Sequence, residues 1–154
     1  MNNNFFTINN VEFSNLECTD WISPDEFKIM SLEVISDCFD DDQYLPQFRK
    51  YAIYKCILKH CFYLNLDNFD DEQKFAICLY SNFETYLNQL IKKDNNKLEF
   101  IITQLEDCID YHKEEILHKS ALDSIIISIA NLLSTLDIND ILGNIEKENK
   151  EVIE

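Results

Sequence analysis

Residues 46–64 read PQFRKYAIYKCILKHCFYL. Wound as a helix, this stretch shows apolar residues on nearly every side. Arg49, Lys50, Lys55 and Lys59 are spaced so that their aliphatic stems cover apolar surface while the charges reach water. A segment of this kind suits the central helix of a bundle. Pro46 fits its start, because the N–H that proline lacks is among those a first helical turn leaves unbonded.

On the N-terminal side the charge reverses. Residues 1–44 hold ten acidic side chains and one lysine, whereas 45–64 hold four basic ones and no acid. Ser23-Pro24-Asp25-Glu26 combines an N-cap serine, a proline at the first helical position and a glutamate three residues after the cap, so a helix starts there. Phe27, Met30, Val34 and Cys38 recur on one face until Asp40-Asp41-Asp42 interrupts the pattern. Before this helix, residues 5–13 place two short β-favouring runs around Asn9-Asn10, which predicts a small hairpin or an extended arm.

On the C-terminal side, residues 65–71 form a polar connection, and Asp70 with Gln73 makes another capping pair. A third helix follows through Phe75, Cys78, Leu79, Phe83, Tyr86 and Leu90, with Lys92 and Lys93 in its last turn. A fourth runs over 97–118 on a stripe of Leu98, Ile102, Leu105, Ile109, His112 and Ile116, its other face carrying Glu99, Glu106, Asp107, Asp110 and Glu114. Ser120 with Asp123 marks a fifth, strongly apolar helix through Leu122, Ile125, Ile126, Ile129, Leu133 and Leu136. Residues 137–145 add a short helix at most. The expected fold is all-α (mainly α): one bundle of five or six helices with a short N-terminal β-hairpin or extended arm. Its single domain covers 1–146, with 1–22 as the arm, 23–146 as the bundle and 147–154 as a frayed charged tail.

Composition agrees, since 46% apolar residues supply a core while one glycine and two prolines leave little turn chemistry for a many-stranded sheet. The formal charge of −16 repels nucleic acid and anionic membrane, so the expected partner is a protein with a basic surface. Cys18, Cys38, Cys56, Cys61, Cys78 and Cys108 form no C-x-x-C pair and read as reduced thiols, most of them on apolar helical positions. With a polar start and no leader pattern, the expected location is the cytoplasm. The longest near-apolar stretch, 124–136, is interrupted by Ser128, Asn131, Ser134 and Thr135 and reads as too short and polar to span a bilayer.

Chemistry-bearing patterns are few. Gly143 is the sole glycine, which excludes a Gly-rich phosphate loop. Cys56 and His60 share a helical face and offer two metal ligands, but nothing at matching spacing supplies the rest, so they read as core. His112 and His118 share no face and read as structural or exposed. Asp40 to Asp42, or Asn65, Asp67, Asp70 and Asp71, offer hard oxygen ligands without the spacing or central glycine of a calcium loop. Tyr51, Tyr54, Phe62 and Tyr63 read as a core aromatic layer. No catalytic, cofactor or metal residues are expected, and no enzyme.

Two interaction readings remain. A helical body can dock on an assembly partner, its acidic exterior giving solubility and steering. Alternatively, carboxylates among Glu12, Glu17, Asp20, Asp25, Glu26, Glu33, Asp37 and Asp40 to Asp42 can imitate nucleic-acid phosphates and fill the basic cleft of a nuclease. A plainer account pairs the acidic first helix with the basic second one. Candidate partner-binding residues are Glu33, Asp37, Asp40, Asp41, Asp42, Asp67, Asp70 and Asp71.

The run from Glu33 to Asp42 (EVISDCFDDD), the following Tyr44-Leu45-Pro46, the passage into Asn65-Leu66-Asp67, and the later Lys119-Ser120-Ala121-Leu122-Asp123 opening an Ile-rich segment resemble small acidic helical proteins of tailed phages infecting low-GC Gram-positive bacteria. That resemblance implies a phage setting for both readings. The expectation is a non-enzymatic interaction protein of the virion-assembly or neck-region kind, residing in the bacterial cytoplasm or incorporated in the virion. The alternative is an anti-defence inhibitor of the anti-CRISPR or anti-restriction type. The corresponding partner is a phage structural protein or a host nuclease.

Overall fold

The computed structural model describes residues 5–8, 11–14, 18–19, 21–93 and 97–135. The chain is mainly α, with five helices among the described residues and a short antiparallel hairpin at the N-terminus. In the hairpin, β1 (Phe5–Ile8) pairs with β2 (Val11–Ser14) in a register that sets Phe5 opposite Ser14 and Ile8 opposite Val11. The Asn9-Asn10 loop, the helix expected over 137–145 and the tail lie outside the described residues. Contacts divide the chain into two compact units, one running to Glu114 and the other beginning at Glu115.

Helix α1 (Pro24–Cys38) begins as its sequence dictates. Ser23 Oγ accepts the backbone N–H of Glu26 at 3.1 Å, and Met30, Val34 and Cys38 are buried on one face. At Cys38 the chain turns extended, and β3 (Phe39–Asp40) pairs with β4 (Gln43–Tyr44) in a two-residue ribbon that the charge pattern did not announce. Asp41, at its tip, has φ 52°, a left-handed conformation that Asp tolerates through its short polar side chain. An edge-on contact of Phe39 with His112, rings 4.8 Å apart, anchors the ribbon.

Pro46 opens a 3₁₀ turn (Pro46–Phe48) ahead of α2 (Arg49–His60), the central helix, in which Ala52, Ile53, Cys56, Ile57, Leu58 and His60 are buried. The helix stops four residues short of the expected Leu64. Tyr63 takes φ 53°, and the Leu64 N–H returns to the Leu58 carbonyl at 3.0 Å. Tyr63 therefore stands exposed, outside the aromatic layer expected for it. The layer itself exists: Phe62 and Tyr54 each meet Phe83 edge-on, at 6.0 and 5.5 Å, while Tyr51 packs on Phe75 at 5.1 Å.

The segment expected as one third helix is two: α3 (Asp71–Leu79) and α4 (Phe83–Ile91). Both bonds of the capping box at Asp70 form, Asp70 Oδ1 accepting the Gln73 N–H at 2.8 Å and Gln73 Oε1 the Asp70 N–H at 3.1 Å. The break comes from Ser81, whose hydroxyl donates to the Ile77 carbonyl and accepts the Phe83 N–H at 3.0 Å, competing with the backbone ladder. Restarting there brings Phe83 into the core, where it is fully buried.

Conversely, the two helices expected over 97–118 and from Ser120 are one, α5 (Lys97–Thr135). The segment contains neither glycine nor proline. A capping signature without a preceding stop does not end a helix: the Ser120 carbonyl accepts the Ser124 hydroxyl at 2.9 Å inside a continuous turn. Before Glu115, α5 buries Leu98, Leu105 and Ile109 in the core cluster, with Ile102 half-buried beside it, as their spacing predicts.

Asp110, expected on the solvated face, is held by Arg49 in a two-pronged pair (Nη1 to Oδ1 2.6 Å, Nη2 to Oδ2 2.9 Å). The guanidinium keeps its carboxyl below the usual carboxylate range. A carboxyl lowered by folding contributes its full stability above the unfolded value near 4 and loses it as pH falls through the folded value. We expect Asp110→Asn to lower the Tm slightly at pH 7, within the range of about 1 kcal/mol seen for exposed ion pairs, and the gap to wild type to close as pH falls below the ordinary carboxylate range. Thermal melts across that range decide it; an equal gap at both ends would assign the loss to packing.

Candidate functional site

The contrast between an acidic first quarter and a basic second one resolves into a seam between α1 and α2. Asp37 accepts Lys55 Nζ on both oxygens at 2.9 and 2.7 Å. One turn earlier, Glu33 Oε1 accepts Lys59 Nζ, and Glu33 Oε2 lies 3.0 Å from His60 Nε2. Glu26, two turns before that, gives its carboxylate to His60 Nδ1. Sequence positions rise along α1 as they fall along α2, so the two helices meet as antiparallel neighbours with matched charges. Both ring nitrogens of His60 thus face carboxylate oxygens of α1, Nδ1 that of Glu26 and Nε2 that of Glu33. Burial opposes the charge of Glu33, yet Lys59 and His60 together hold its carboxyl below the usual range.

Of the candidate partner-binding residues, Glu33 and Asp37 are therefore engaged inside the fold. They share a cleft of about 340 Å³ with Asp67, and Lys55, Lys59 and Lys74 bring it close to charge balance. Asp71 pairs with Lys74 at 3.2 Å, Asp70 is the cap of α3, and Asp40, Asp41 and Asp42 stand exposed on the β3–β4 ribbon. The structure thus groups Glu33, Asp37, Asp67 and Asp71 around three lysines and places the 40–42 run elsewhere. A larger cleft, about 630 Å³, opens among α2, α4 and α5 beside Arg49, Lys50, Tyr54 and Glu84. Its Lys50 is bound to Glu84 at 2.7 Å, and burial, with Glu84 adding, pushes the Tyr54 phenol up to about 12.

All six cysteines are free thiols; Cys38, Cys56, Cys61 and Cys78 are buried, Cys18 and Cys108 half-buried. Burial pushes Cys38 to about 11 and Cys61 and Cys78 to about 12, well above what a reactive thiol requires. Cys56, also raised by burial, differs in company, since Glu33 from α1 joins Cys56 and His60. Sequence spacing showed only the pair on α2, because no periodicity tells which residue of another helix lies opposite.

The other unit offers a surface of different character. From Glu115 onward α5 exposes Leu117, Leu122, Ile125, Ile126, Ile127, Ile129, Leu132 and Leu133, all more than half exposed. Of these, Leu122, Ile125, Ile126, Ile129 and Leu133 were expected to pack in the bundle. Joined into one helix, the segment includes an 18-residue window of mean hydropathy 1.4, apolar and long enough by length and composition alone to cross a membrane. Asp123, Ser124, Ser128, Asn131 and Ser134 punctuate it. Comparison with known proteins finds no matching family model, no matching curated protein and no matching solved structure.

Proposed function

We propose that this chain is a non-enzymatic acidic interaction protein, encoded by a phage and acting in virion assembly or at the neck, which docks on a structural partner through the apolar surface of α5 beyond Glu115. The observation carrying this reading is that surface: eight large aliphatic side chains exposed along 117–133, more than a soluble helix leaves uncovered unless something binds it. A helical partner rather than a bilayer suits the polar residues that interrupt it and the net charge of −16, which anionic lipid repels. The same charge steers the chain toward a basic protein surface.

The nucleic-acid-mimic reading loses support from the α1–α2 seam. A mimic needs its carboxylates free along one surface, and Glu26, Glu33 and Asp37 are spent on His60, Lys59 and Lys55. Deleting the gene tests the proposal: particles should be missing or incomplete, and tagged chain should co-purify with particles from an infected lysate. Intact infectious particles from the deletion strain would sink it, as would recovery of the tagged chain in the membrane fraction or bound to a nuclease.

A further inference from the structure

Cys56 and His60 sit one turn apart on α2, 2% and 7% exposed, and Glu33 reaches them from α1. One donor atom from each residue lies within 4.8 Å of the others. The surroundings are ordered in a particular way. Glu26 occupies the far ring nitrogen of His60, Lys59 binds the other oxygen of Glu33 at 2.5 Å, and Cys56 Sγ faces the Met30 carbonyl at 3.7 Å. Carboxylate, thiol and imidazole thus converge from two helices, and each of the two outer ligands is backed by a hydrogen-bonding partner that fixes its direction, the arrangement that supports metal-ligating histidines and carboxylates.

We propose that Glu33 Oε2, Cys56 Sγ and His60 Nε2 bind one divalent ion of the zinc class across the α1–α2 seam. The charge balance favours the exchange. The metal-bound site holds a carboxylate, a thiolate, a neutral imidazole and M²⁺, net zero, with the thiol proton and any proton on Nε2 released to solvent. No net charge is left in the interior, and Glu26 keeps its contact with Nδ1. A thiolate and an imidazole together select Zn²⁺ or Co²⁺ over the hard cations Mg²⁺ and Ca²⁺. Donor distances of about 2.0–2.3 Å imply ligand separations of roughly 3.4–3.7 Å, so Glu33 Oε2 and His60 Nε2, 3.0 Å apart, open slightly on binding while Cys56 Sγ, within 4.8 Å of both, draws in. Glu33 is the most open of the three and lines the 340 Å³ cleft, giving the ion a path and leaving the fourth coordination position toward water or a partner's side chain.

The test uses the full chain, reduced with a phosphine so that no added thiol competes, and titrated with Co²⁺ and then Zn²⁺. The expected result is one Co²⁺ per chain, a thiolate-to-cobalt charge-transfer absorption, and its displacement by one equivalent of Zn²⁺. Cys56→Ser should abolish the absorption, while Cys78→Ser, which removes another buried thiol, should leave it intact. Glu26→Gln, on a partly exposed side chain outside the ligand set, should weaken binding roughly 10- to 100-fold and keep the absorption, so the site is testable even if Cys56→Ser fails to fold. Wild-type protein without the absorption, an absorption that survives Cys56→Ser, or Glu26→Gln binding as tightly as wild type would overturn the proposal.

Discussion

Phe83→Ala is expected to lower the stability of the unit ending at Glu114 by about 3–5 kcal/mol, a large fraction of what a domain of this size possesses. The side chain is fully buried at the start of α4 and touches two elements at once, with the rings of Tyr54 on α2 and Phe62 just beyond it standing edge-on to it. Removing it leaves a cavity that neither ring can fill from its fixed backbone, and the aromatic contacts are lost as well. Urea unfolding followed by far-UV circular dichroism measures the effect. Tyr80→Ala, four-fifths exposed three residues earlier, is the control and should stay within about 0.5 kcal/mol of wild type. A Phe83→Ala loss below about 1 kcal/mol would mean that Ser81 does not deliver this ring to the core.

The double substitution Ile125→Asp with Ile129→Asp should do the reverse, leaving stability nearly unchanged and removing function. The two residues lie one turn apart on α5 and are 55% and 51% exposed, so neither supports the fold; the helix-propensity cost is below about 1 kcal/mol per site. On the docking proposed for α5, two carboxylates in the middle of its apolar surface would be buried unpaired when the partner arrives. Each anchor lost typically costs 2 kcal/mol or more, which for both together amounts to roughly a thousandfold in affinity. Immunoblots of purified particles against equal amounts of wild-type and substituted chain read this directly. Substituted chain incorporated at the wild-type level would remove α5 from the interface.

What could be read from the sequence follows a physical division. Local signals told the truth where a single segment settles its own geometry: Ser23 and Asp70 cap helices, and Met30, Val34 and Cys38 bury one face of α1. The readings that failed concern choices between two locally acceptable states. Ser81 and Ser120 are both serines within helix-compatible runs, yet Ser81 ends a helix because its hydroxyl has the Ile77 carbonyl and the Phe83 N–H to bridge, while Ser120 continues one. The two-residue ribbon at Asp41-Asp42 lay hidden in what read as a simple acidic break. For the candidate site, the pairing of an acidic helix with a basic one was legible in charge alone, and Cys56 with His60 in their spacing. That Glu33 completes their cluster depends on which faces of α1 and α2 meet, a long-range fact that no window of sequence contains.

The seam has a consequence for how the chain is born. Asp37 waits for Lys55, 18 residues downstream, and Glu26 for His60, 34 residues downstream. At ordinary synthesis rates of about 5–20 residues per second, the polyanionic leading segment therefore emerges from the ribosome some seconds before its counter-charges do. During that interval its carboxylates repel one another without relief. Docking of the two helices should begin only once His60 has cleared the exit tunnel, so ribosome-bound chains stalled before that point would remain sensitive to protease across the first helix and those stalled well after it would not.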